Sequence, residues 1–136
     1  FDSTNKDAET IRKQLDSMVD LAEKRLVNAG KDLSNAGIIG TIAMMLEVSK
    51  KGALIDLEKI PKPENVEMLQ WLKSYPACGF CVTTSQPDEV VKIFDSHGLT
   101  AEVVGKVDST RVVKLAYKED QRTFFDFRKE SVLGLI

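Results

Sequence analysis

Apolar residues recur three and four positions apart at Ile11, Leu15, Met18, Val19, Ala22 and Leu26. That spacing forms one stripe on a helix spanning about Lys6 to Val27. Asp2, Ser3 and Thr4 precede it as capping residue types, and Gly30 after Asn28-Ala29 suits the left-handed position past a helix end. A polar loop leads to a second helix, about Ile38 to Ser49, that is apolar nearly all round. Such a helix is expected to be buried on most sides. Gly40 inside it costs about 1 kcal/mol relative to Ala, which implies close packing or a ligand.

Ala53 to Leu57 reads as a short strand, and Pro61 and Pro63 mark a turn and a helix start. Val66, Leu69 and Leu72 form the inner face of that third helix. Gly79 to Thr83 is a strand rich in β-favouring types. Pro87 starts a fourth helix, with Val90, Val91 and Phe94 inward and an end at His97-Gly98. Three strands complete the chain: Ala101 to Val107, Val112 to Tyr117 and Thr123 to Phe127, separated by turns at Asp108–Thr110 and Lys118–Gln121. This order predicts an α+β (mixed α/β) fold. Its mixed sheet of about five to six strands carries helices mainly on one face.

Composition narrows the class. A chain of 136 residues is expected to form one domain over 1–136. Its formal charge of −2 supplies no basic field for nucleic acid. The run from Ile38 to Leu46 is far shorter than the ~20 apolar residues a bilayer requires. Two cysteines cannot build a disulfide framework, and the expected location is the cytoplasm. Phe1 in place of Met, with no signal-peptide pattern, is the expectation for a piece cut at a domain boundary.

The chemistry concentrates at Asp32-Leu33-Ser34-Asn35-Ala36-Gly37-Ile38-Ile39-Gly40. A helix start presents unpaired N–H groups and a positive dipole end, and glycine allows an anion to approach the backbone. One reading is a phosphate and Mg²⁺ corner, since Mg²⁺ prefers carboxylate and phosphate oxygens. The other is a capping loop with a tight turn, worth about 1 kcal/mol and no chemistry.

Asp32, Ser34, Gly37, Ile38, Glu47, Gly52, Ala53, Ile55, Asp56, Ile60 and Pro61 fall where their counterparts do in another group of proteins. The chain resembles the C-terminal domain of the AIR (aminoimidazole ribonucleotide) synthetase superfamily over roughly residues 1 to 127. That group includes thiamine-monophosphate kinase and selenophosphate synthetase, and within it the chain is most similar to the AIR-synthase-related methanogenesis marker proteins. The resemblance implies an ATP-dependent, Mg-requiring phosphoryl-transfer enzyme whose active site lies between this domain and an absent N-terminal domain. It implies Asp32 as the catalytic residue that orients metal (Mg²⁺) or substrate. Ser34 and Asn35 would bond phosphate or substrate oxygens, and the amides of Ala36, Gly37, Ile38 and Ile39 would form the anion cradle. The expected cofactors are ATP and Mg. The expected partners are the protein's own N-terminal domain, a phosphorylated or phosphate-accepting small molecule, and a second copy in a full-length homodimer formed mainly through the absent domain. No nucleic acid or membrane is expected. The isolated domain is expected to be inactive. Asn35 stands where thiamine-monophosphate kinase has an Asp, and it lacks the charge to hold a second metal.

Other residues have structural readings. Cys78-Gly79-Phe80-Cys81 has dithiol spacing, but it enters a strand rather than a helix N-terminus, so free thiols are expected. His97 suits a helix end. Lys50, Lys51, Lys59 and Lys62 form a solvated rim or aid an anionic substrate. Glu47 and Asp56 either reach the site or serve as helix-end polar groups. Trp71 is expected to pack with an exposed edge, and Phe124, Phe125 and Phe127 to alternate faces of a strand. The rival functions are a non-catalytic metabolite- or protein-binding relative, a regulatory small-molecule-binding module and a redox dithiol protein.

Overall fold

Asp7, not the earlier polar residues, starts the first helix: its carboxylate accepts from the Thr10 amide at 2.8 Å and caps α1 (Ala8–Glu23). The computed structural model describes residues 5–74 and 79–134, so Asp2, Ser3, Thr4 and Cys78 lie outside the described residues. Helix α1 ends before Gly30. Arg25 takes the left-handed conformation (φ 54°), with its amide on Ala22 O (3.0 Å) and that of Leu26 on Leu21 O (3.0 Å). This is a Schellman termination with arginine in the position usually given to glycine. Gly30 instead lies in strand β1 (Ala29–Asp32), part of the stretch read from sequence as loop.

The chain divides into two compact units. The first comprises residues 1–41 and 61–102. It holds α1, β1, the start of α2 (Gly37–Val48), α3 (Met68–Leu72), β3 (Phe80–Thr83) and α4 (Pro87–Ser96). Strands β1 and β3 pair antiparallel, with Asp32 opposite Phe80 and Gly30 opposite Val82. The core is Leu21, Val90 and Phe94, with Met18, Leu26, Phe80, Val82 and Ile93 packed around it. Phe80 and Phe94 stack at 6.4 Å. Val91, expected inward, is only half-buried.

Two inward faces differ from the sequence reading. In α1 the buried residues include Gln14 and Ser17, whereas Leu15 and Val19 are 48% and 51% exposed. Burial of the polar pair is possible because Ser17 Oγ donates to Gln14 O (2.6 Å) and Lys6 Nζ to Gln14 Oε1 (2.9 Å). In α3, Leu69 is exposed and Trp71 is buried, its indole N–H donating to Pro61 O at 2.8 Å. Val66 precedes this five-residue helix, which is too short to establish a face of its own.

The second unit comprises 42–60 and 103–136. Its four strands are β2 (Gly52–Asp56), β4 (Gly105–Asp108), β5 (Val112–Tyr117) and β6 (Asp120–Asp126), in the order β4-β2-β5-β6. The β2–β5 pair is parallel and the other two are antiparallel. The fold is therefore α+β with mixed strand pairing, its six described strands divided between a two-stranded and a four-stranded sheet. Gly105 is required by close approach, since a Cβ there would lie 2.2 Å from Leu54 O. A bulge between Val113 and Lys114 leaves Phe124 as the extra residue, exposed, while Phe125 and Phe127 stack at 6.0 Å. Ala53, Ile55, Val113 and Phe127 are buried. Helix α2 is buried on most sides, as its apolar composition predicts.

Candidate functional site

The polar corner begins where β1 ends. The ladder continues one step past Asp32, with the Leu33 amide donating to Gly79 O at 2.8 Å. A turn then closes through the Gly37 amide on Ser34 O, also at 2.8 Å. Gly37 has φ +70°, and a Cβ there would stand 2.9 Å from Leu72 O. Glycine is thus demanded twice, by conformation and by space. Helix α2 departs from this residue.

Ser34 is half-buried, and Asn35 and Ala36 are exposed. The side chains of Ile38 and Ile39 are buried, which leaves only their backbone to serve a ligand. Their amides fall in the first helical turn, where no intrahelical acceptor exists. The Gly37 amide is already engaged, so the cradle expected over Ala36–Ile39 is narrower by that donor.

Asp32 is 62% exposed along its side chain and paired with Lys31, whose ammonium contacts Oδ1. That hydrogen bond holds the Asp32 carboxyl below its ordinary range, so it is ionised at neutral pH. The corner thus offers a carboxylate, an ammonium, a hydroxyl and an amide beside a helix start. Among the described residues, no group of three or more His, Cys, Asp or Glu is placed to hold a metal ion. One carboxylate fits Mg²⁺ only when phosphate oxygens and water complete its shell, the usual way Mg²⁺ is held.

The remaining sequence candidates have structural duties. Glu47 is 7% exposed and accepts from the amides of Val132 (3.1 Å) and Leu133 (2.9 Å) and from Ser131 Oγ. Asp56 caps the 3-10 turn Leu57–Lys59 and pairs with Lys59 at 3.8 Å. Lys50 holds the left-handed position after α2. Lys51 and Lys59 face solvent, and Lys62 Nζ donates to Pro63 O at 3.3 Å. His97 lies at the end of α4, with Nδ1 2.9 Å from Ile93 O and Nε2 3.4 Å from Asp20. Cys81 is a free thiol in β3, pushed up to about 11 by burial, which is the opposite of a redox-active cysteine.

Two features had no sequence signal. Thr41, one turn after Gly37, is fully buried, and among the described residues its hydroxyl has no hydrogen-bond partner. Asp126, buried at the end of β6, accepts from Arg128 Nε (2.7 Å) and Nη2 (2.8 Å), which holds its carboxyl well below the usual range. No helix among the described residues is long and apolar enough to cross a membrane.

Comparison with known proteins places this geometry in context. Residues 2–118 match the family model described as AIR synthase related protein, C-terminal domain. An uncharacterized protein of Methanocaldococcus jannaschii is 40% identical over 134 residues, covering 97% of this chain and 41% of that protein. An uncharacterized Synechocystis protein is 36% identical, with 97% and 42% covered. The chain therefore spans about two fifths of the length of these relatives. Among solved structures, Thermotoga maritima PurL complexed with FGAR superposes with a TM-score of 0.75 at 20% identity, covering 88% of this chain and 20% of that one.

Proposed function

Because the chain belongs to the family of AIR synthase related C-terminal domains, we propose that it supplies the substrate and phosphate side of an ATP-dependent phosphoryl-transfer site. The observation that carries this reading is the corner itself. An ionised, exposed carboxylate stands beside a conformationally obligatory glycine at the start of a 12-residue helix. Thermotoga maritima PurL has been solved with ADP and with ATP, which supports a nucleotide in a protein of similar fold.

In this reading Asp32 orients the metal or the substrate. Ser34 Oγ and the Asn35 amide bond phosphate or substrate oxygens, while the amides of Ile38 and Ile39 face the anion. Lys31 holds Asp32 ionised and adds a positive charge at the same corner. Mg·ATP would supply the transferable phosphoryl group and neutralise charge on it. The protein's share of such chemistry is positioning and electrostatic stabilisation. Asn35 leaves the corner with one carboxylate, so we assign it a single metal borne chiefly by phosphate.

The narrower assignments belong to the same reading. They are a site completed by an N-terminal domain, an inactive isolated domain, a homodimer of the full-length protein, a cytoplasmic location and membership of the methanogenesis marker group. The 40% identity to a protein more than twice as long supports the additional domain.

The test is isothermal titration of Mg·ATP, Mg·ADP and phosphorylated metabolites into the full-length protein, wild type and Asp32→Ala. Binding that Asp32→Ala weakens at least ten-fold is the expected result. A full-length protein that ignores nucleotide would show the fold in use as a binding scaffold.

A further inference from the structure

Consecutive residues of a strand point to opposite faces. In β1 the register sets Lys31 opposite Cys81 on one face and Asp32 opposite Phe80 on the other. The Lys31 ammonium nevertheless rests on Asp32 Oδ1. Its stem therefore reaches around the strand to a carboxylate that the backbone does not present to it. On its own face Lys31 has the Cys81 thiol, which burial pushes up to about 11. That thiol is neutral at neutral pH and offers no competing charge. The side chains of Lys31 and Asp32 are 43% and 62% exposed. An ion pair so open to water contributes little to stability, and exposed side chains exchange rotamers quickly. The pair is thus easily opened. It stands at the end of β1, where the chain runs through the turn from Ser34 to Gly37 into α2.

We propose that Lys31 is a phosphate-contacting residue that Asp32 holds in reserve. In the free protein the ammonium rests on Asp32. When a phosphoryl group enters the corner, the ammonium transfers to its oxygens, and Asp32 is freed to face the cation that the phosphate carries. The inference rests on the phosphoryl-transfer reading above and deepens it. Its physical basis is charge cancellation. While the pair is closed, the ammonium occupies the carboxylate that a cation needs, and the carboxylate occupies the ammonium that a phosphate needs. Opened, the pair offers one charge of each sign, which matches a magnesium–phosphate ligand. Phosphate and cation therefore enter together, and neither is held well alone.

A double-mutant cycle on Mg·ATP affinity, measured by isothermal titration in the full-length protein, tests the hand-over. The variants are Lys31→Met, Asp32→Asn and the two combined. Lys31→Met keeps the apolar stem and removes the charge. All three should match wild type in circular dichroism and Tm, because both side chains lie at the surface. Lys31→Met should weaken Mg·ATP about ten-fold in the wild-type background. In the Asp32→Asn background the same substitution should cost about two- to five-fold more, because no closed pair has to be opened first. A residue that merely aligned Asp32 would lose its effect once Asp32 is neutral. Lys31→Met that costs nothing in wild type, or less in the Asp32→Asn background than in wild type, overturns the proposal while the phosphoryl-transfer reading stands. A wild-type protein that binds no Mg·ATP overturns that reading and this inference with it.

Discussion

Helix α2 has one acidic residue of the family pattern ahead of its start and another in its last turn, and the two acids do opposite things. Ahead of the helix, at the end of β1, Asp32 is exposed, ionised and paired only with its neighbour Lys31 among the contacts described above. At the C-terminal end, Glu47 is buried and receives three donors from Ser131, Val132 and Leu133. A carboxylate with its oxygens already engaged is held in place by folding. A carboxylate open to solvent with a depressed pKa is available to a cation or a substrate. The difference separates a structural family position from a chemical one, which the residue type alone does not.

The most severe test of that contrast is Glu47→Ala. It strands two backbone amides and a hydroxyl by removing their buried acceptor, so unfolding free energy should fall by about 2–4 kcal/mol. A loss below about 1 kcal/mol in urea denaturation would show that the Glu47 contacts do not persist in solution. Gly37→Ala comes next, with an expected loss of about 1–3 kcal/mol from the left-handed φ and the approach to Leu72 O. A neutral outcome would show that the turn relaxes and that the corner is not rigidly set.

Arg128→Ala sharpens the picture of the segment Glu47 holds. The folded pKa of Asp126 is depressed by Arg128, so its contribution is present above the unfolded value of about 3.9 and is lost as pH falls through the folded value. The variant should be less stable than wild type at neutral pH, and the gap should close on acidification. A gap that widens as pH falls would reverse the sign and refute the account. The smallest expected effect on stability is that of Asp32→Ala, within about 0.5 kcal/mol, because the side chain is exposed and its ion pair lies at the surface.

Much of the fold was legible where local signals agreed with one another. Proline at the start and His97-Gly98 at the end bracket α4 as the sequence predicts, and β5 runs over Val112–Tyr117 as its β-branched residues indicate. Legibility failed where a non-local partner decided the outcome. Strand β1 is Ala-Gly-Lys-Asp, which has no β-forming residue, and it is a strand because β3 pairs with it. Arg25 ends α1 without glycine, and the outward stripe of α1 is unreadable because periodicity reports that a face exists and not which way it points. At the corner, the sequence pointed to a tight turn at Gly37, and the structure has one there. The sequence could not show that the Gly37 amide is spent on Ser34, nor that Glu47 is engaged by residues more than eighty positions away.

The most direct measurement sets the two acids side by side in the full-length protein. Mg·ATP affinity and urea stability would be determined for Asp32→Asn and Glu47→Gln. The account predicts that Asp32→Asn keeps wild-type stability and loses nucleotide affinity, while Glu47→Gln loses stability and, where folded, binds as wild type does. Wild-type affinity in Asp32→Asn, with loss of affinity in a folded Glu47→Gln, would contradict it.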